Sequence, residues 1–245
     1  MTNEEKIKGL PTFPFVSVVT PTYNRRRFIP YLIKCYQNQI YPKEHMEWII
    51  YDDGNDPVGD LFKDLPFPNV RYMYNDEKQN IGYKRNRLNE LAKGHIIVAM
   101  DDDDYYPAER VHHVVQMMRA NPKCMLAGSS EIYMFYNDIK TIYKLGPYSN
   151  SHATNGTMAW SATYGKSHKY DETVTHAEER SFLEDYKHPM IQLNPYKVML
   201  VISHSENTFD KKKMREVENP VVKKTNMKIK DFIKEKHLRD FYSEA

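Results

Sequence analysis

The chain has 245 residues, 40% hydrophobic and 28% charged, a composition that excludes a disordered or low-complexity protein and fits one ordinary globular domain. A formal charge of +2 provides no global field of the kind that marks nucleic-acid or membrane-surface binders, so no nucleic-acid partner is expected. Cys35 and Cys124 lack metal-type spacing and read as reduced thiols; with no apolar leader and no apolar run of about 18 residues, the expectation is a soluble, cytoplasmic protein without a transmembrane segment.

In chain order, the short β-branched run Phe15 to Thr20 reads as a buried parallel strand, followed by a loop from Pro21 to Asn24. Phe28, Tyr31, Leu32, Cys35, Tyr36 and Gln39 then keep helical spacing. Trp48 to Tyr51 and Val70 to Tyr74 are the next strands, and Ile81 to Lys93 is a helix expected to end on Gly94 as a left-handed cap. His95 to Met100 is a further strand, and a helix starting near Pro107 carries the stripe Val111, Val114, Val115 and Met118 until Asn121 and Pro122 stop it. This alternation predicts an α/β fold with a mainly parallel sheet flanked by helices.

Beyond Cys124 the pattern loosens. Short strands are expected at Met125 to Ser129, Ile132 to Tyr136 and Thr141 to Leu145, then a helix over about His176 to Tyr186 and a strand over Val198 to Ser203. The lysine-rich tail after Asp210 holds one amphipathic segment, Met227 to Phe241, expected as a solvated closing helix.

Three constellations carry chemistry. Asp101 to Asp104 directly follow an apolar strand, so a parallel sheet delivers them to its C-terminal edge, where ligands of open α/β sheets bind. Like charges this close destabilise a fold unless a cation compensates them, and capping the next helix needs only one Asp. If strand geometry continues, Asp101 and Asp103 face one side and can share a hard ion such as Mg2+ or Mn2+. Asp52 and Asp53 end another strand before Gly54, placed either for hydrogen bonds to a nucleotide or for an Asx turn. Asn80 to Asn86 (NIGYKRN) opens a helix with Lys84 and Arg85, a basic pair that opposes the helix dipole unless a diphosphate, or simply solvent, meets it.

Together, PTYNR (Pro21 to Arg25), YDDG (Tyr51 to Gly54), NIGYKRN and MDDDDYYP (Met100 to Pro107) resemble the GT-A glycosyltransferases of the family 2 kind. The resemblance implies a GT-A fold, with residues 1–125 as a nucleotide-sugar half, 126–210 as an acceptor half and 211–245 as a basic tail. It implies that Pro21, Thr22, Tyr23 and the following Asn24, with Asp52 or Asp53, hold a base, usually uracil, and that Arg85 approaches the donor. Asp101 and Asp103 would form a DxD motif for Mn2+ or Mg2+, Asp103 the surer ligand, with Asp102 at the middle position and Asp104 supporting the site or touching the sugar. In the second half, Asn155 to Met158 matches an acceptor-side strand that brings in Gly156, and His176 to Glu179 the position of the catalytic base. Glu179 is favoured over Glu178 because it shares a helix face with Phe182, Leu183 and Tyr186, and burial raises a carboxylate pKa. His204 resembles a late histidine that reaches the metal or diphosphate, and Trp160 could stack on a sugar.

The implied activity is inverting transfer from a nucleotide-diphosphate sugar, most simply a UDP-sugar, to a hydroxyl of a glycan or glycoconjugate. Two other classes use similar residues. A metal-dependent nucleotidyltransferase or phosphohydrolase would release a monophosphate or pyrophosphate, and a carbohydrate-binding module would bind sugar without turnover.

Overall fold

A computed structural model describes residues 11–207, 210–216 and 218–245. Its main sheet contains β1 (Val16–Thr22), β2 (Met46–Asp52), β3 (Val70–Tyr74), β4 (Ile96–Ala99), β5 (Leu126–Gly128), β8 (Ala159–Ser161) and β9 (Ile191–Gln192). The order is β3-β2-β1-β4-β8-β5-β9. The first four are parallel, as the alternation of strands and helices predicts, whereas β8 is antiparallel to both neighbours. Every residue of β1, β2 and β4 is buried, which is why these strands read as continuous apolar runs.

Helices α1 (Ile29–Gln37), α2 (Ile81–Leu91) and α3 (Arg110–Ala120) follow β1, β3 and β4. Their apolar residues bury against the sheet: Ile29, Leu32, Cys35 and Tyr36 from α1, and Val111, Val114, Val115 and Met118 from α3. The second half supplies a smaller sheet, β10-β6-β7-β11, from β6 (Ile132–Tyr136), β7 (Thr141–Leu145), β10 (Leu200–Ser203) and β11 (Val222–Lys224). The separate sheet is not legible in the sequence, because β10 pairs in parallel with a strand more than sixty residues earlier, Leu200 opposite Tyr133.

Several expected boundaries move for identifiable reasons. Strand β1 runs through Pro21 and Thr22, which makes the expected loop shorter: β4 pairing ends at Val19 opposite Ala99, so Pro21 lacks an N–H where none is needed on that side. Helix α2 stops at Leu91, with Ala92 extended, and Gly94 is not a left-handed cap. Glycine is needed there because a Cβ would lie 2.4 Å from the Ser17 amide nitrogen. Helix α3 begins at Arg110, not Pro107, since residues 101–106 turn back and Tyr105 bridges to Leu200.

Asn155–Thr157 is a 3-10 turn, not a strand, and β8 starts two residues after Thr157. The helix expected over His176 to Tyr186 shrinks to α5 (Glu179–Phe182), because Glu184, Asp185 and Tyr186 all have positive φ and unwind it. The segment expected as one helix over Met227 to Phe241 splits into α6 (Ile229–Phe232) and α7 (Lys236–Glu244), and its apolar side docks while its polar side stays exposed: Phe232, Ile233, Leu238 and Tyr242 are buried, and Phe241 stacks on Tyr31 at 3.5 Å. Cys35 and Cys124 are free thiols, the first buried. Among the described residues, no helix is long and apolar enough to cross a membrane.

Candidate active site

The ends of β1, β2 and β4 open onto one edge of the main sheet, where the acidic clusters and the PTYNR segment converge. The loops after β1 and β2 interlock: Asn24, at φ 52, accepts from the Asn55 amide at 2.8 Å, and a Cβ on Gly54 would lie 2.7 Å from the Asn24 nitrogen. Tyr23 lies half-buried under Lys78, whose ammonium is 4.4 Å from the ring centroid.

Asp52 and Asp53 have separate tasks. Asp52 accepts from the Gly54 amide at 2.9 Å, the Val58 amide at 3.0 Å and the Tyr72 hydroxyl at 2.6 Å, so it shapes the loop after β2 as an Asx turn would. Asp53 accepts from Lys84 Nζ at 2.8 Å and from the Gln79 amide at 2.7 Å. Lys84 is itself buried in that pair, so the sheet edge, not solvent, absorbs its charge. Asn80 donates from its side-chain amide to the Glu172 carbonyl at 3.0 Å and gives α2 no side-chain cap.

Arg85 joins the two halves of the chain. Its Nη1 donates to Asp101 Oδ1 at 2.9 Å and its Nε to Glu178 Oε1 at 2.7 Å. Burial alone would lower the guanidinium pKa, but the Asp101 and Glu178 charges outweigh it and hold the group firmly protonated. Asn86 secures the same connection, donating to the Tyr170 carbonyl at 2.9 Å and accepting from the Tyr170 amide at 2.8 Å. A Cβ on Gly82 would lie 2.0 Å from the Asp171 carbonyl oxygen, so only glycine lets this helix start approach the Asp171 backbone.

The four aspartates do not keep strand geometry. Strand β4 ends at Ala99 and the chain turns at Asp102 and Asp103, so Asp101 is directed to Arg85 whereas Asp103 meets the end of β10. Asp103 Oδ2 lies 3.0 Å from His204 Nε2 and accepts from Asn207 at 3.2 Å. The Glu206 amide donates to His204 Nδ1 at 3.2 Å, and the Asn207 side-chain nitrogen lies 2.7 Å from Nε2, so both ring nitrogens are held in place. Arg25 Nε is 3.9 Å from both Asp102 and Asp103.

These surroundings divide the acids. Burial, followed by the Asp103 charge, pushes the Asp102 carboxyl up to about 7. Burial opposes ionisation of Asp103 too, but Lys211, His204 and Arg25 together hold it well below the usual carboxylate range. Burial, against the pull of Lys211, raises Asp104 to about 7. Asp104 faces inward and accepts from the Ile202 amide at 2.8 Å, while Tyr242 donates to its carbonyl at 3.1 Å. Its side chain is thereby tied to β10 and nearly closed to solvent. The protein's own cations therefore compensate part of the acidic crowding that the sequence assigns to a metal.

A metal nevertheless fits. Asp103 and His204 present an oxygen and a nitrogen 3.0 Å apart, and the Asp102 carboxyl stays near-neutral beside Asp103 in a way an added dication would reverse.

The adjacent glutamates separate. Glu178 is buried in its pair with Arg85, whereas Glu179 is half-buried, and burial, then the Glu178 charge, push its carboxyl up to about 7. The short helix that carries it packs Phe182 on Tyr170 at 4.1 Å. Gly156 is brought to the cluster, since a Cβ on it would lie 3.1 Å from Asp101 Oδ2, although the turn is buried. Trp160 is not at the site: its ring is 1% exposed and donates to Asn89 at 3.0 Å, as expected for an indole on a strand buried on both faces.

Arg25, Tyr106, Arg110 and Lys211 are components the sequence reading does not assign. Tyr106 accepts from the Asp101 amide at 2.6 Å, and the fully buried Arg110 donates to the Met158 carbonyl at 2.8 Å and, more weakly, to Ala99 and Gly156. Arg110 adjoins the apolar stripe of its helix, which is the one local signal of burial; nothing local marks Lys211.

The sequence profile described as "Glycosyl transferase family 2" matches residues 17–215. Among curated proteins, the teichuronic acid biosynthesis glycosyltransferase TuaG of Bacillus subtilis, whose own name is provisional, is 29% identical over 108 residues, 43% of this chain and 42% of that one. The mannosyltransferase PcManGT from Pyrobaculum calidifontis, solved with GDP-Man and Mn2+, superimposes with a TM-score of 0.62 at 14% identity, over 83% of this chain and 64% of that one. S. aureus TarS 1-349, solved with UDP-GlcNAc, superimposes with a TM-score of 0.61 at 16% identity, over 78% of this chain and 59% of that one. The chain thus spans under two thirds of each of these relatives, and the two structural likenesses establish the GT-A fold alone.

Proposed function

The chain belongs to glycosyl transferase family 2, and on that premise we propose that it transfers a sugar, with inversion, from a UDP-sugar to a hydroxyl of a glycan or glycoconjugate. The observation that carries the reading is the split within the Glu178 and Glu179 pair. Arg85 locks the first, while the second is half-buried with its carboxyl raised to about 7, the range useful for a general base.

Thr22, Tyr23 and Asp53, where β1 and β2 end together, provide the pocket for the base. Uridine is preferred because the UDP-GlcNAc complex of TarS shares this fold, whereas GDP-Man in PcManGT keeps guanosine as the second candidate. Asp103 and His204 would hold Mn2+, preferred to Mg2+ because one of the two ligands is a nitrogen, and that ion when bound would supply positive charge to the departing diphosphate. Arg85 fixes Asp101 and Glu178 in one orientation, and so sets the wall of the site against which the donor lies. Glu179 then takes the proton from the acceptor hydroxyl as that oxygen attacks the anomeric carbon from the face opposite the leaving group.

The test is a panel of nucleotide-sugars incubated with the protein and Mn2+, with products separated by anion-exchange chromatography. Release of UDP that stops with EDTA supports the proposal. Release of a nucleoside monophosphate or pyrophosphate would assign a nucleotidyltransferase or phosphohydrolase, and sugar binding without any turnover a binding module.

A further inference from the structure

Outside the sheet edge, His168, Glu184 and His188 bring two imidazoles and a carboxylate together. His168 follows α4 (Ala162–Ser167), and Glu184 and His188 lie in the segment after α5. Glu184 Oε1 is 3.7 Å from His168 Nε2 and Oε2 is 3.3 Å from His188 Nε2, and the three ligand atoms lie within 4.8 Å of one another. We infer that these three side chains form a second metal site, for a transition-metal dication of the zinc class, separate from the acidic cluster at the sheet edge.

The donor set has the right chemistry. Two neutral imidazoles and one carboxylate suit zinc-class ions, whereas Mg2+ and Ca2+ seek oxygen alone. The geometry is also prepared. His168 Nδ1 faces the Tyr164 carbonyl at 3.1 Å and the Ser167 hydroxyl at 2.9 Å, and Nε2 is the ring nitrogen turned toward Glu184. A backbone carbonyl that fixes the tautomer is the usual support of a metal-binding histidine. The rings are held in place too: His168 stacks on Tyr164 at 3.8 Å and 3°, and His188 meets His168 edge-on at 5.0 Å.

The carboxylate is brought in by an unfavourable backbone. Glu184, Asp185 and Tyr186 have φ of 47°, 58° and 61°, a run that costs each non-glycine residue about 1–2 kcal/mol. Hydrogen bonds from the Glu184 amide to Ser181 at 3.1 Å and from the Asp185 amide to Arg180 at 2.9 Å maintain it. Glu184 is exposed, which leaves a coordination position open to water. A dication here ties the end of α4 to the segment five residues after Glu179, and so braces the element that carries the candidate base.

The experiment titrates the metal-stripped protein with Co2+ and Zn2+. A four-coordinate site with two nitrogens gives Co2+ visible d–d bands of an intensity that an octahedral oxygen site does not reach. Expected are such bands, their displacement by one equivalent of Zn2+, a rise in melting temperature with Zn2+, and about a tenfold or greater loss of affinity in H168Q and H188Q. Should either variant fail to fold by circular dichroism, E184Q, whose side chain is exposed, carries the same comparison. Absent bands with no Zn2+-dependent thermal shift, or bands unchanged in these variants, overturn the proposal and leave a hydrogen-bonded His-Glu-His cluster.

Discussion

Arg85 Nε stands 2.7 Å from Glu178 Oε1 while its Nη1 holds Asp101 at 2.9 Å, so a single buried guanidinium fixes one of two adjacent glutamates and frees the other. The pair tests a division of labour. Replacing Glu179 by Gln should lower turnover by about 10² or more with the donor KM nearly unchanged, because only proton removal is lost. Glu178→Gln should instead raise the donor KM, since it loosens Arg85 and through it Asp101. Steady-state kinetics at saturating metal separates the two.

The same residue sets a pH dependence. Its carboxyl, about 7 when folded against a usual 4.5, works as a base only when ionised, so turnover should fall as pH drops through about 7. Stability runs the other way: a raised folded pKa contributes stability that is full below about 4.5 and lost as pH rises through about 7. Glu179→Gln should therefore melt higher than wild type at pH 8 and the same at pH 4, while its rate loses the acidic limb; equal melting curves at both pH values would remove the burial argument.

Metal dependence should follow Asp103 and His204. Asp103→Ala should abolish turnover while circular dichroism shows the fold retained, and His204→Gln should raise the Mn2+ concentration for half-maximal rate by about 10- to 100-fold. Titrating activity with Mn2+ from an EDTA-treated stock measures both, and full activity in EDTA would refute the role.

Asp104 should affect stability without specificity. Asp104→Ala leaves the Ile202 amide buried and unpaired, at a cost of about 1–3 kcal/mol, while Asp104→Asn keeps an acceptor and should keep both stability and donor KM. Denaturant melts alongside donor kinetics check it; a large KM change in the Asn variant would return Asp104 to the sugar.

Lys84 should prove to be a fold residue as well. Lys84→Met leaves Asp53 buried without its partner, expected to destabilise by about 3–5 kcal/mol, and adding Asp53→Asn should recover part of that loss. A double-mutant cycle by urea unfolding measures the coupling, and additive effects would show the pair to be incidental.

Local order is legible in the order of residues. Apolar runs specify β1, β2 and β4, and the acids that close β2 and follow β4 mark the edge they share, because strand burial and like-charge crowding can be read from neighbours in the chain. Sequence alone could not say that Trp160 is core, nor that a helix begun at Glu179 unwinds after four residues, since both depend on what packs against them. It favoured Glu179 over Glu178 by helix-face burial alone, without sight of what holds Glu178. That hold belongs to Arg85, 93 residues from Glu178, just as the role of Asp103 belongs to His204, 101 residues away. Folding alone brings such partners within hydrogen-bond range, and burial then makes each pairing strong enough to fix one acid and not its neighbour.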